Sequence, residues 1–88
     1  MGERFVKVVS DFLHTYVNFP TERELKYALN NINEDTNPLN DWGLDSLDVT
    51  HLIMDIEYEY DIMISDDEAV SCQTLGDFYK LVLSKKYE

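Results

Sequence analysis

The 88-residue chain is short of cysteine, of basic residues and of long apolar runs, and each shortage closes off a class of protein. Cys72 is the single cysteine, so no internal disulfide framework can form, and such thiol usage fits a reducing cytoplasm. Only 7 Lys and Arg stand against 18 Asp and Glu, a formal net charge of -11. A field of that sign repels phosphate backbones, so nucleic acid is not an expected partner, whereas basic patches on proteins are drawn in faster. Acidity that serves solubility alone is the competing account. No apolar run approaches the length of a membrane span, and Met1 to Val9 lacks the apolar stretch of a signal peptide. A cytoplasmic protein without stable membrane insertion is expected. Aromatic residues are not scarce: at 12% they exclude a disordered acidic tail. Residues 1–88 are therefore expected to form one small domain, a monomer, with a compact core and little room for a deep catalytic pocket.

No segment shows the alternation of a strand, and helical spacing dominates. From Glu3 to Val17 the residues Phe5, Val8, Val9, Phe12, Leu13 and Tyr16 trace one helical face, and Phe19-Pro20 is expected to stop the helix. Thr21 precedes Glu24 by three positions, a capping-box spacing, and Leu25, Leu29 and Ile32 form a modest stripe, so a short extra helix is expected from Thr21 to Asn30. Asn30 to Asp41, rich in Asn and Asp and containing Pro38, reads as a loop. A second long helix runs from Ser46 to about Tyr60, with Leu52, Ile56 and Tyr60 inward, Val49 and Ile53 widening the stripe, and Asp48, Asp55 and Glu59 opposite. Ser65 opens a short helix through its spacing to Glu68, and Thr74 caps a last helix whose core face carries Leu75, Phe78, Tyr79 and Val82. The fold class is all-α, a small three- to four-helix bundle with an extra short helix in the first loop.

Ser46 stands where the loop becomes the second long helix, flanked by Asp45 and Asp48. It reads either as the N-cap or as a modification site, since a helix N-terminus tolerates an attached phosphate. Catalytic alternatives fail on the residues around it. A nucleophile elbow needs glycines where Leu44 and Asp48 stand, and His51 is rotated by about 140° around the helix from Ser46. Asn33, Asp35 and Asn37 start a calcium-loop spacing, but Pro38 and Leu44 occupy the positions that need glycine and glutamate. His14, His51 and Cys72 show no zinc-ligand spacing, and Cys72 reads as a small apolar residue.

Gly43-Leu44-Asp45-Ser46-Leu47-Asp48, then Leu52, Met54, Ile56, Glu57 and Tyr60-Asp61, then Ile64-Ser65-Asp66-Asp67-Glu68-Ala69, resembles the second half of a freestanding acyl carrier protein. The resemblance runs from about Asp41 to Tyr79. It implies a protein that is not an enzyme, with Ser46, between Asp45 and Leu47, as the attachment point of 4′-phosphopantetheine donated by coenzyme A. A phosphopantetheinyl transferase would add the arm, and acyl-transferring and condensing enzymes with basic patches would use it in fatty acid, lipid or polyketide-type biosynthesis. Because no thiol lies near Ser46 in the sequence, thioester chemistry must come from the cofactor. The resemblance also implies a partner face of Leu47, Asp48, His51, Met54 and Glu57, and an acyl cleft between helices for which Leu52, Ile56, Ile64 and Leu75 are candidates, each equally explained as core.

Three departures bear on the partners. His51 and Tyr58 stand where carriers of the general fatty acid cycle tend to have acids, and the stretch between the first helix and Ser46 is long. A specialised pathway is the expectation that follows. A carrier-like interaction module without the arm, and an aminoacyl or peptidyl carrier, are the competing accounts. Reversing Asp48 and Glu57 to lysine is expected to slow association more than it alters the fold.

Overall fold

The computed structural model describes residues 1–86, and every regular element among them is helical: α1 Glu3–Thr15, α2 Glu22–Asn30, α3 Pro38–Asp41, α4 Ser46–Tyr60, α5 Asp66–Val70 and α6 Leu75–Lys85. Of the apolar face read from α1, Phe5, Val8, Val9, Phe12 and Leu13 are all in the core, whereas Tyr16, expected on the same face, lies at the C-cap and stays exposed because the helix ends at Thr15. α4 adds Leu52, Ile56 and Tyr60, α6 adds Leu75, Phe78 and Val82, and Ala28 and Ile64 close the cluster. Removing side chains of this size from water stabilises the fold by roughly 1.5–3 kcal/mol each before conformational entropy is charged against it. Tyr79, expected on the core face, is half-buried and packs its ring 5.1 Å from that of Phe5.

α1 ends before proline can act on it. Tyr16 is its C-cap, and the Thr15 hydroxyl donates back to the Asp11 carbonyl at 2.7 Å, a local bond that competes with helix continuation. α2 starts where expected, with the Thr21 hydroxyl accepting from the Glu24 N–H at 3.2 Å. The expected loop from Asn30 to Asp41 contains a one-turn helix. Pro38 begins α3 instead of breaking the chain, because its fixed φ and missing N–H suit the first helical position. Asn37 Oδ1 accepts from the Leu39 and Asn40 N–H groups, and Asp41 Oδ2 accepts from Asn37 N–H at 2.7 Å.

That segment is held against the far end of the chain. The first two N–H groups of α6 have no acceptor within their own helix and donate to the loop: Leu75 to the Thr36 carbonyl at 2.9 Å and Gly76 to the Glu34 carbonyl at 3.0 Å. Thr36 is buried, and its hydroxyl accepts from Asn33 N–H and donates to the Asn31 carbonyl, both at 3.0 Å. Arg4 ties α1 to the end of α4, donating to the Glu59 carboxylate at 2.9 Å while its guanidinium lies 4.5 Å above the Tyr60 ring. Lys85 pairs with Glu68 at 2.9 Å and joins α6 to α5. The bonds from Leu75 and Gly76 to the Thr36 and Glu34 carbonyls hold the loop that leads into α4, and so bear on where Ser46 is presented.

Candidate functional site

The approach to Ser46 is a sharp turn. Trp42 caps the end of α3, and Gly43 follows at φ +65°, in the left-handed region that a Cβ disfavours. Asp45, with extended backbone, is the N-cap of α4, and Ser46 is the first helical residue. The expectation that Ser46 caps the helix is therefore corrected by one position. Asp45 Oδ1 accepts from Asp48 N–H at 2.9 Å, and Asp48 Oδ2 accepts from Asp45 N–H at 3.1 Å, a reciprocal capping box. Serine at the cap could not have closed such a box, because the residue three positions later is Val49, which has no acceptor to return.

This shift decides the state of the serine hydroxyl. Ser46 is exposed, and its Oγ makes no hydrogen bond to any described residue; only its carbonyl is used, by the Thr50 hydroxyl at 2.9 Å. The N–H groups of Ser46 and Leu47 likewise have no acceptor in the described chain, as the first turn of a helix requires. A free hydroxyl beside unengaged N–H groups and the positive end of the α4 dipole suits esterification by a phosphate. No histidine hydrogen-bonds to it: the His51 ring stacks on Tyr16 with centroids 4.4 Å apart, and Tyr16 in turn stacks on Phe12 at 5.2 Å. Loss of surrounding water pushes the Tyr16 phenol up, and a hydrogen bond with Asp48 and the charges of Asp48 and Asp45 add to the rise. Among the described residues no group of three His, Cys, Asp or Glu is placed to hold a metal ion, and no helix is long and apolar enough to cross a membrane.

Other residues singled out in the sequence divide sharply. Leu47 and Met54 are exposed at 67% and 55%, seven positions apart on one side of α4, with Tyr58 at 91% one further turn along. Asp48 is half-buried and occupied by the capping box. Glu57 is also half-buried, and its Oε2 accepts from the Ile64 N–H at 2.8 Å, bracing the turn that leaves α4 at Asp61. Leu52, Ile56, Ile64 and Leu75 are sealed in the core, and none of them lines the groove that opens at Ser46. That groove, 660 Å³ in volume, has apolar walls from Val49, Ile53, Ala69, Val70 and Phe78, with Cys72 beside them. Partial burial pushes the Cys72 thiol up, with Asp77 adding to the rise, which keeps it protonated and apolar in character. Val49 and Ile53 were visible as stripe-widening positions; nothing local marked Val70, Cys72 or Phe78 as groove walls, since they reach it only through the packing of α5 and α6.

The sequence model described as "Phosphopantetheine attachment site" matches residues 21–82, from the cap of α2 into α6. The acyl carrier protein of Sulfurovum sp. (strain NBC37-1) is 39% identical over 59 residues, 67% of this chain and 79% of that relative. The acyl carrier protein of Prochlorococcus marinus (strain MIT 9515) is 38% identical over 63 residues, 72% of this chain and 79% of the relative. With the free serine at the head of α4, these likenesses establish that the chain belongs to the acyl carrier protein family, as a carrier with covalently bound 4′-phosphopantetheine and not an enzyme.

Proposed function

We propose that the arm is joined to Oγ of Ser46 and that the protein presents acyl groups on it to enzymes of fatty acid or related lipid and polyketide-type biosynthesis. The observation that carries this reading is the division of labour at the head of α4: Asp45 does the capping, so the Ser46 hydroxyl is exposed and without a partner among the described residues. When bound, the group supplies the thiol that holds acyl chains as thioesters. The protein's part is position and recognition. Leu47, Met54 and Tyr58 offer an exposed apolar row for enzyme contact, and the surrounding acids favour basic patches such as a phosphopantetheinyl transferase or a condensing enzyme would bring. The groove walled by Val49, Ile53, Val70 and Phe78 lies beside the attachment point and is a better shelter for an acyl chain than the closed core positions.

Intact mass after incubation with a phosphopantetheinyl transferase and coenzyme A tests the attachment. One added arm, absent in Ser46→Ala, is expected; an unchanged mass with several transferases, or an arm that survives in Ser46→Ala, would overturn it. Competition between ketosynthase sets tests the pathway: full turnover with a generic fatty acid set would argue against a specialised one.

A further inference from the structure

A second cavity, at 720 Å³ larger than the groove at Ser46, opens between the α1–α2 connection, α2 and the segment leading into α4. The two share no lining residue. A smaller hollow of 310 Å³ shares Val17, Asn18 and Trp42 with the second cavity and reaches Asp48, so a continuous trough runs from α2 to the first turn of α4.

Two features of this trough are unusual together. Phe19, Tyr27 and Trp42 line it, with Tyr27 exposed at 71%, and none of the three rings takes part in the ring stacks or the cation–ring contact found among the described residues. Glu24, Asp35 and Asp41 line it too. The carboxylates of Glu24 and Asp35 accept no hydrogen bond and enter no ion pair in the described chain, while Asp41 is bonded only to Asn37 N–H. Arg23 is the one cation in the lining, and it forms no ion pair with these acids and lies over none of the rings. Three carboxylates against one guanidinium leave the lining net negative. Phe19 and Trp42 are half-buried against the core and present only part of their rings, while Tyr27 stands exposed. Aromatic surface of this kind beside unneutralised carboxylates is the complement of a long basic side chain, whose head is drawn to the charge and whose stem or guanidinium plane lies on the rings.

We propose that this trough is a docking surface for an arginine or lysine side chain of a partner protein, separate from the face around Ser46. Its continuation to Asp48 means that a partner anchored there extends toward the head of α4, so recognition and arm delivery are held in register by two contacts instead of one.

Trp42 is the only tryptophan in the chain, so its emission reports occupancy of the trough directly. The full chain, with and without the arm, is titrated at low salt with an acetylated peptide amide of sequence Gly-Ala-Arg-Leu-Lys-Gly. Two controls accompany it: the same peptide with glutamate in place of arginine and lysine, and spermidine. A saturable change in emission is expected with the basic peptide, with half-saturation below roughly 5 mM. That value should rise about tenfold in the double variant Glu24→Gln/Asp35→Asn, in line with loss of both free carboxylates. It should hold within about twofold in Glu3→Gln/Asp67→Asn, which changes net charge equally at positions on α1 and α5 that line no part of the trough. Far-UV circular dichroism confirms that both variants are folded. No saturation, equal loss in the two double variants, an equal response to the acidic peptide or tighter binding of spermidine would each overturn the proposal. Because the titration is read without the arm as well, it stands or falls independently of attachment at Ser46.

Discussion

Gly76 is glycine because of a carbonyl contributed by a distant part of the chain. A Cβ there would stand 2.8 Å from the Glu34 carbonyl oxygen and 3.1 Å from Glu34 Cβ, while the Gly76 N–H donates to the same oxygen at 3.0 Å. Gly76→Ala must either push the 34–36 turn away or lose the bond. A destabilisation of about 1–3 kcal/mol is expected, read as a lower urea midpoint with an unchanged slope. A different correction applies to Asp48 and Glu57. As solvated acids they would be clean sites for charge reversal, but each accepts a backbone N–H, from Asp45 and from Ile64. Glu57→Lys leaves the Ile64 donor without its acceptor, so it is expected to cost about 1–3 kcal/mol in chemical denaturation besides any effect on partners. Asp55 is exposed and has no partner among the described residues, so Asp55→Lys separates on-rate from stability. Association slowed in Asp55→Lys with an unchanged denaturation midpoint is the expected result.

Helix starts were legible in the sequence because caps are local. Thr21 and Ser65 cap where their spacing to Glu24 and Glu68 put them, Thr74 caps the last helix as expected, its box with Asp77 appearing only in the structure, and the buried faces of α1 and α4 follow from a period that needs no knowledge of the partner helix. What escaped was of two kinds. At Ser46 two adjacent residues could both cap, and the choice fell to Asp45 through the reciprocal bond from Asp48, a comparison between overlapping boxes instead of a signature. The Thr36 and Glu34 carbonyls on α6, the Ile64 bond to Glu57 and the groove walls all join elements far apart in sequence, and no periodicity encodes them. Two predictions belong to these elements. Asp45→Ala removes the cap of α4 and is expected to cost about 1 kcal/mol, with slower arm attachment because the first turn frays; circular dichroism and the rate of mass increase check the two halves. The second concerns acid. The Glu68 carboxyl is held below its ordinary value first by the Ser65 N–H and then by Lys85, and Asp77 first by the Gln73 N–H and then by that of Thr74. Folded values below the unfolded ones mean that the unfolded chain binds more protons in this window. The stabilisation is complete above the unfolded values of 4.5 and 3.8 and is lost as pH falls through the lowered folded values. Melting curves in this range should show α5 and α6 weakening, with a smaller loss on acidification in Glu68→Gln and Asp77→Asn than in the parent chain.

At the scale of the whole molecule the charge balance is the dominant electrostatic term. A net charge of -11 is confined to a body of 36 × 25 × 21 Å, and most acids have no ion-pair partner among the described residues. The Debye length is about 30 Å at 0.01 M salt and about 8 Å at 0.15 M. At the lower salt each acid is repelled by acids across the full width of the fold; at the higher salt only its neighbours count. Screening also weakens the favourable pairs, Arg4 with Glu59, Lys7 with Asp11, Lys26 with Glu22 and Lys85 with Glu68. Solvent-exposed pairs of this kind contribute little and are local, whereas the repulsion is summed over many separated charges. Repulsion therefore wins, and moving from 0.01 M to 0.15 M sodium chloride at pH 7 should raise the melting temperature by roughly 5 °C, the shift that about 1 kcal/mol produces in a domain of this size. Potassium chloride should act equally, since screening does not depend on the identity of the cation. Association with basic enzymes must respond in the opposite sense, because the same field that strains the fold also steers the encounter. A melting temperature that fell with salt would show instead that the few ion pairs outweigh the summed repulsion, and the acid surface would then be a source of cohesion as well as recognition.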